Sequence, residues 1–149
     1  MHINPADHEP TKTFFDVMNT EPLLGAGTEV NQFRMNLVDK MGVSLGWMGK
    51  NSSGYAVLVT KQAEALTLEM YPFEGTNYIR IKGSRDYLSP SAQAYLGFYG
   101  WSGATGWVKQ NSQLKSEYNE QFLSLYSTDN KYLYAWDKYT ILNVKFDPA

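Results

Sequence analysis

The chain has 149 residues, of which 43% are apolar and only 19% are charged, so it is expected to fold as one domain and not to be disordered. Its formal net charge is −2, with both signs scattered along the sequence, which argues against the basic face that nucleic-acid binding requires. No apolar run approaches the length of a membrane-spanning helix, and the lack of cysteine excludes disulfides, thiolate catalysis and cysteine-based metal sites.

Residues 1–31 differ from the rest of the chain and are predicted to form an N-terminal arm. They contain both histidines, three prolines and a loose segment at 24–28, with one short candidate element at 13–18. The first residues lack a charged region followed by an apolar region, so the sequence predicts no signal peptide. We therefore expect a cytoplasmic location, or release by a route that needs no signal peptide.

From residue 32 onward, short alternating segments are separated by clusters of glycine, asparagine, aspartate and serine, as expected for strands joined by hairpin turns. The alternation predicts strands at residues 65–71, 78–82 and 140–146. One stretch is ambiguous, because Leu114, Tyr118 and Phe122 are spaced four apart, as on one face of a helix. A loop with a helical turn is favoured there, since Phe122 also fits a repeat.

A repeat of about 44 residues runs through the chain after the arm. An amide residue and an aromatic residue precede an alternating apolar run three times, at steps of 45 and 44 residues: Gln32-Phe33, Asn77-Tyr78 and Gln121-Phe122. Two further sets of landmarks follow a similar spacing, one beginning at Val43, Tyr87 and Tyr132, the other at Tyr55, Tyr95 and Tyr139. A repeat near this length typically means one supersecondary unit built several times.

These three units of short strands resemble a β-trefoil, an all-β fold in which three four-stranded units close a six-stranded barrel under a hairpin cap. The resemblance covers residues 32–149, which we take as one trefoil domain. It implies first strands that carry Phe33, Tyr78 and Phe122. The second strands would carry Leu45, Leu88 and Leu133, and the third strands Leu58, Phe98 and Leu142.

Fourth strands are predicted at residues 65–71 in unit one and 106–109 in unit two. Unit three ends soon after its third strand, so its fourth strand is missing, very short, or supplied by the N-terminal arm. The last option is preferred, with Phe14 and Phe15 as the candidate strand residues.

Catalytic and metal-binding motifs are scarce in this sequence. Both histidines lie in the arm, and there is no nucleophile elbow, zinc-protease helix or phosphate-binding glycine loop. No calcium-loop pattern is present, so we expect neither a metal nor a cofactor. A carboxylate pair from turns leaves a small hydrolase open, although aspartate in a turn is ordinarily a turn former; the candidates are Asp86, Asp129 and Asp137.

Aromatic and polar residues occur together in the turns, the combination that binds sugars by ring stacking and directed hydrogen bonds. Trp101 and Trp107 flank a loop of small residues after Tyr99, and the alternative is that both tryptophans are structural. Trp47 and Trp136 are predicted at equivalent ends of the second strand in units one and three, each before a turn that contains Asn51 or Asp137. Unit two has Ser91 there, with Gln93 and Tyr99 as the nearest substitutes.

The sequence therefore predicts a non-catalytic, lectin-like protein that binds a glycan or glycoprotein, with homo-oligomerisation left open. The predicted ligand-binding residues are Trp47, Asn51, Gln93, Tyr99, Trp101, Trp136 and Asp137. Replacing Trp101 or Trp136 by alanine is expected to weaken binding and to leave the fold intact. The Gln-x-Trp signature of ricin-type trefoil lectins is absent.

A protein-binding trefoil, either a protease inhibitor or a cytoskeletal domain, is the alternative function. Residues 130–133, Asn-Lys-Tyr-Leu, resemble the Gly-Lys-Tyr-Leu pattern of fascin-like trefoils, with asparagine where glycine is usual. Because one fold serves many functions, the sequence alone keeps both classes open.

Overall fold

A computed structural model describes residues 32–149, and the predicted N-terminal arm, with Phe14 and Phe15, lies outside the described residues. The described chain is all-β, and its paired strands are antiparallel. Within residues 32–149 the strands are β1 (Gln32–Val38), β2 (Ser44–Lys50), β3 (Ala56–Val59), β4 (Leu68–Phe73), β5 (Thr76–Ile81), β6 (Tyr87–Pro90), β7 (Leu96–Tyr99), β8 (Trp107–Gln110), β9 (Gln113–Ser116), β10 (Leu123–Leu125), β11 (Leu133–Ala135), β12 (Thr140–Ile141) and β13 (Asn143–Pro148). Short 3-10 turns lie at Gln62–Glu64 and Trp101–Gly103.

Six of these strands follow one another around the hydrophobic core. β1 pairs with β4 and with β13, β4 pairs with β5, β8 pairs with β9, and β9 pairs with β13. β8 also lies against β5, which completes a ring of neighbouring strands. The alternation of β1 explains its place in the ring, because successive side chains of a strand point to opposite faces and Phe33, Met35 and Leu37 are fully buried.

The remaining hairpins, β2–β3, β6–β7 and β10–β11, are joined to one another by single bridges between residues of different hairpins. Each hairpin places a tyrosine directly before its second strand. Tyr55, Tyr95 and Tyr132 meet there, and their ring centroids are 5.8 to 6.0 Å apart. We call these three residues the tyrosine triangle. Three hairpins therefore contribute equivalently to one contact.

The prediction for the third unit differs most from the structure. Phe122 lies directly before β10, where it bridges to Lys115 of β9, and not within a strand of its own. Leu133 lies in β11, the second strand of the third hairpin, and Leu142 falls between β12 and β13. The third member of the tyrosine set is Tyr132 and not Tyr139. The residues spaced four apart in the 112–126 stretch do not lie on a helix, because this stretch consists of β9, a turn and β10 in succession.

The last strand of the described chain, β13, lies beside β1 over six residue pairs, from Phe33 opposite Pro148 to Val38 opposite Asn143. The predicted single strand at 140–146 is wrong, because residues 140–148 form two strands, β12 and β13, that break at Leu142. The expectation that the arm supplies a strand to the last unit stays a prediction, since the arm lies outside the described residues.

A second apolar cluster, which we call the aromatic cluster, lies beside the main core and consists of Tyr71, Phe73, Tyr78, Tyr87, Trp101 and Ala104. Trp107, in contrast, belongs to the main core, is fully buried and donates a hydrogen bond from Nε1 to the carbonyl oxygen of Leu88 at 2.8 Å. Over residues 32–149, the structure has no helix long and apolar enough to cross a membrane.

Candidate functional site

Two clefts open on the described surface, and Tyr118 lines both of them. The first has a volume of about 670 Å³ and contains two carboxylates, so we call it the acidic cleft. The second has a volume of about 400 Å³ and contains three side-chain amides, so we call it the amide cleft. The Tyr118 side chain is 56% exposed, which leaves its ring accessible between the two.

The amide cleft is formed where two hairpins and one loop meet. Its amides are Gln93 from the β6–β7 turn and Asn119 and Gln121 from the β9–β10 loop. Its aromatic wall includes Trp136, which follows β11 and is half-buried, and Tyr139. Among the described residues that line this cleft, none is an aspartate, glutamate, lysine or arginine.

Hydrogen bonds to the backbone fix two of these amides in place. Asn119 Oδ1 accepts from the N–H of Gln121 at 3.1 Å, and Asn119 Nδ2 donates to the carbonyl oxygen of Ala135 at 3.0 Å. Gln121 Oε1 accepts from the N–H of Asp137 at 2.9 Å. Because a primary amide has two N–H donors, the single bond from Asn119 Nδ2 leaves a second donor on a side chain that is already oriented.

One tyrosine of the amide cleft holds its proton more tightly than an ordinary tyrosine. Burial, followed by a hydrogen bond with Tyr95, raises the pKa of Tyr134 well above 10. The Tyr134 ring also packs against Tyr139, with ring centroids 4.8 Å apart. The cleft therefore offers hydroxyl and amide groups beside aromatic rings.

The acidic cleft has a different chemistry. Glu74 follows β4 and Glu117 follows β9, and both carboxylates are close enough to Tyr78 to raise the pKa of its hydroxyl, although burial of the phenol is the larger cause. A hydrogen bond with Thr76 acts in the opposite direction. Glu74 and Glu117, which follow two different strands of the ring, therefore both act on the Tyr78 hydroxyl.

Gly106 makes room for the Glu117 carboxylate. The N–H of Glu117 donates to the carbonyl oxygen of Gly106 at 3.0 Å. A Cβ atom at position 106 would collide with Glu117 Oε1 and with Thr76 Cγ2. Only glycine lets the two chain segments approach this closely, so the placement of Glu117 depends on residue 106.

Trp101 forms one wall of the acidic cleft but is only 5% exposed. Its ring lies 4.7 Å from Tyr78 and 5.2 Å from Tyr87, measured between centroids. Within residues 32–149, neither Trp101 Nε1 nor the buried Thr105 Oγ1 in the same cleft has a hydrogen-bond partner. Trp101 is therefore a packed ring with an unused donor and not the open stacking surface that its sequence position suggested.

The predicted site residues do not form one site. Gln93 and Trp136 line the amide cleft, Trp101 lines the acidic cleft, and Trp47, Asn51, Tyr99 and Asp137 line neither. Asn51 Oδ1 accepts from the N–H groups of Ser53 and Tyr55, which makes it a turn former. Asp137 Oδ1 accepts from the N–H of Phe122 at 2.7 Å and so holds the loop that carries Gln121.

Trp47 and Trp136 are not equivalent, contrary to the sequence interpretation. Trp47 lies inside β2 opposite Val59, where it is half-buried, whereas Trp136 follows the second strand of its hairpin. The true counterpart of Trp136 is Tyr99, because each lies four residues after a member of the tyrosine triangle. Burial, with a smaller contribution from Tyr55, raises the pKa of Tyr99.

The sequence interpretation missed Glu74, Glu117, Tyr118, Asn119 and Gln121 as site residues. Four of these five lie in the 112–126 stretch, where the sequence favours a loop with a helical turn and the structure has a loop between β9 and β10. The pattern Asn119-Glu120-Gln121 was a usable signal for polar site residues there, because closely spaced polar residues between apolar runs are typical of a loop.

Comparisons with known proteins give no family for this chain: no protein-family model matches it, and no curated protein gives a significant match. Over residues 32–149, no group of three or more histidine, cysteine, aspartate or glutamate side chains is placed to hold a metal ion.

Proposed function

We propose that this chain is a β-trefoil that binds a neutral, sugar-like ligand in the amide cleft and acts without catalysis. Support for the trefoil comes from the ring of six strands and from the three hairpins that meet at the tyrosine triangle. Since a fold alone does not define a function, the proposal for binding depends on the cleft and not on the trefoil.

The observation that carries the proposal is the composition of the amide cleft. Sugars present apolar C–H faces, which stack on aromatic rings, and hydroxyl groups, which exchange hydrogen bonds with amides and phenols. The cleft has rings from Tyr118, Trp136 and Tyr139 beside three amides, and its lining among the described residues has no formal charge. A charged ligand would find no counter-ion in it, whereas a neutral polyol would find both kinds of contact.

The backbone bonds of Asn119 and Gln121 favour the same function. Ordering a flexible side chain on binding costs roughly 0.5 to 1.5 kcal/mol. Two of the three amides are already held by the chain, at 2.9 to 3.1 Å. Ligand binding therefore requires little further ordering of these side chains.

A glycan array followed by titration tests the proposal. We expect a neutral oligosaccharide to bind and to shift the tryptophan fluorescence, because Trp136 is half-buried at the cleft. Trp136→Ala should weaken this binding by about 30-fold, corresponding to about 2 kcal/mol for the loss of an aromatic anchor.

Trp47→Ala is the matched control, since Trp47 is also half-buried but lines neither cleft. The Trp47→Ala variant should bind the same oligosaccharide with the affinity of the unchanged protein, even if the variant is less stable. If no glycan on the array binds, or if Trp136→Ala and Trp47→Ala lose affinity equally, binding at the amide cleft is contradicted.

A further inference from the structure

The acidic cleft has a chemistry that the neutral amide cleft lacks. Glu74 and Glu117 both line it, and among residues 32–149 neither carboxylate takes part in an ion pair. No lysine or arginine is among the described residues that line the cleft. A ligand that enters it therefore meets two negative charges without a compensating positive charge from the lining.

An accessible aromatic residue accompanies these carboxylates. Phe73, Tyr78, Trp101 and Tyr118 line the same cleft, and of these four only Tyr118 is exposed. A cation over the face of such a ring is attracted by the negative charge of the π system, and the attraction is stronger where water is partly excluded. Two carboxylates and the exposed Tyr118 in one cavity together favour an organic cation over a neutral or anionic group.

Two buried polar atoms indicate which further chemical groups the ligand carries. Trp101 Nε1 is a hydrogen-bond donor and Thr105 Oγ1 is both donor and acceptor, and neither has a partner within the described residues. Leaving a buried polar group unpaired costs about 1 to 3 kcal/mol, so a small movement that brings either atom to a ligand oxygen would be favourable. A ligand with a protonated amine and hydroxyl groups therefore fits the chemistry of this cleft.

Tyr118 connects this chemistry to the amide cleft, because this residue is exposed and lines both cavities. Resting on the function proposed above, we propose that the acidic cleft binds the protonated amine of an amino sugar that continues the oligosaccharide held in the amide cleft. The two clefts then form one extended site, with a neutral subsite and a cationic subsite on opposite sides of Tyr118.

The test compares an oligomer of N-acetylglucosamine, which has no charge, with the same oligomer in which one terminal unit is deacetylated to glucosamine and carries a protonated amine. We call the second probe the glucosamine oligomer, and it differs from the first by one acetyl group and one positive charge. Titrated at a pH where the amine is protonated, the protein should bind the glucosamine oligomer about tenfold more tightly, as expected for a charge-assisted hydrogen bond. This preference should fall as salt is added, because salt screens the attraction.

Glu117→Gln should abolish the preference, and Glu74→Gln should reduce it, while both variants keep the shape of the side chain. Glu64→Gln is the matched control, because Glu64 is exposed and lines neither cleft. Equal affinity of the two oligomers for the unchanged protein, or a preference that survives Glu117→Gln, would overturn the proposal.

Further outcomes separate this proposal from the one on which it rests. One result is that a neutral ligand binds in a way that depends on Trp136, while the protein shows no preference for the amine that depends on Glu117. This result overturns the cationic subsite alone. Binding of the glucosamine oligomer that depends on Glu117 but not on Trp136 supports the cationic subsite and contradicts the neutral one. A lysine-rich peptide that binds with the same dependence on Glu117 and competes with the glucosamine oligomer would assign the cleft to a protein partner and overturn the amino sugar.

Discussion

At the scale of single residues, three of the four tryptophans show how one side chain takes different roles in different surroundings. Trp107 is fully buried and its N–H is bonded, Trp101 is packed in the aromatic cluster with an unused N–H, and Trp136 is half-buried at a cleft. The residue before them does not distinguish them, because each follows glycine or alanine. Their burial decides which of them can contact a ligand.

Replacing Trp101 by alanine should therefore destabilise the fold, contrary to the expectation from sequence. A buried tryptophan that becomes alanine typically costs about 3 to 5 kcal/mol, through lost burial and the cavity that remains. Denaturant unfolding should show a large fall in the transition midpoint for Trp101→Ala and a much smaller one for Trp136→Ala, which is half-buried. Equal midpoints for Trp101→Ala and the unchanged protein would contradict the packing described for the aromatic cluster.

The residues of the candidate site could be predicted by type but not by position. Gln93 and Trp136, two of the residues predicted from aromatic and amide residues in turns, line the amide cleft. Asn51 and Asp137 have the same polar character, yet their side-chain oxygens accept hydrogen bonds from backbone N–H groups. A sequence cannot separate these roles, since both favour Asn and Asp in turns.

At the scale of elements, the β2–β3 hairpin depends on one glycine. Gly46 has a φ of +144° and lies opposite Leu37, next to an irregularity in the β1–β2 pairing. A Cβ atom there would collide with the carbonyl oxygen of Val59 and come within 3.1 Å of Leu58 Cδ1. The position therefore excludes a side chain both by conformation and by space.

Gly46→Ala should lower the free energy of unfolding by about 2 to 4 kcal/mol, since backbone strain and overpacking each cost roughly 1 to 3 kcal/mol. Gly100→Ala is the control, because φ is −63° at Gly100 and no heavy atom lies within 4 Å of an added Cβ. Its stability should be unchanged or slightly raised. The same measured loss in both variants would show that the strain assigned to position 46 is wrong.

The strands predicted within residues 32–110 occur in the structure in the predicted order, because they carry buried apolar residues and are separated by turns that contain glycine, asparagine or serine. The prediction is poorer after residue 112 because β9 has few apolar residues: only Leu114 is a buried hydrophobic residue there, and its other buried side chain is Ser116. Phe122 and Tyr139 therefore matched the repeat by type, although Phe122 lies outside β9 and Tyr132 is the residue in the tyrosine triangle. Sequence periodicity thus predicted the earlier strands better than the later ones.

At the scale of the whole molecule, buried tyrosine hydroxyls link the fold to proton binding. The pKa values of Tyr78, Tyr99 and Tyr134 are all raised above the ordinary 10, in each case mainly by burial. The folded state therefore holds these three protons more tightly than the unfolded state does. The resulting stability is fully present below pH 10 and is lost as the pH rises through the folded-state pKa values.

We expect these three tyrosines to leave the free energy of unfolding unchanged up to about pH 9 and to lower it steeply above pH 10. Denaturant unfolding measured across this range tests the expectation, with tyrosinate absorbance followed in parallel. Tyr134→Phe should reduce the steepness of the alkaline loss because it removes one of the contributing protons. Alkaline titration of all tyrosines before any unfolding would contradict the burial that raises these pKa values.

The tyrosine triangle gives the folding reaction its own optical signal. Tyr55, Tyr95 and Tyr132 are separated by 40 and 37 residues along the chain, and each comes from a different hairpin, so no single hairpin brings two of them together. Fixed aromatic rings in an asymmetric contact produce near-ultraviolet circular dichroism, whereas backbone strands are seen in the far ultraviolet. Because contacts between distant residues form slowly, the part of the near-ultraviolet signal that comes from the tyrosine triangle should be complete only when the last hairpin joins the other two.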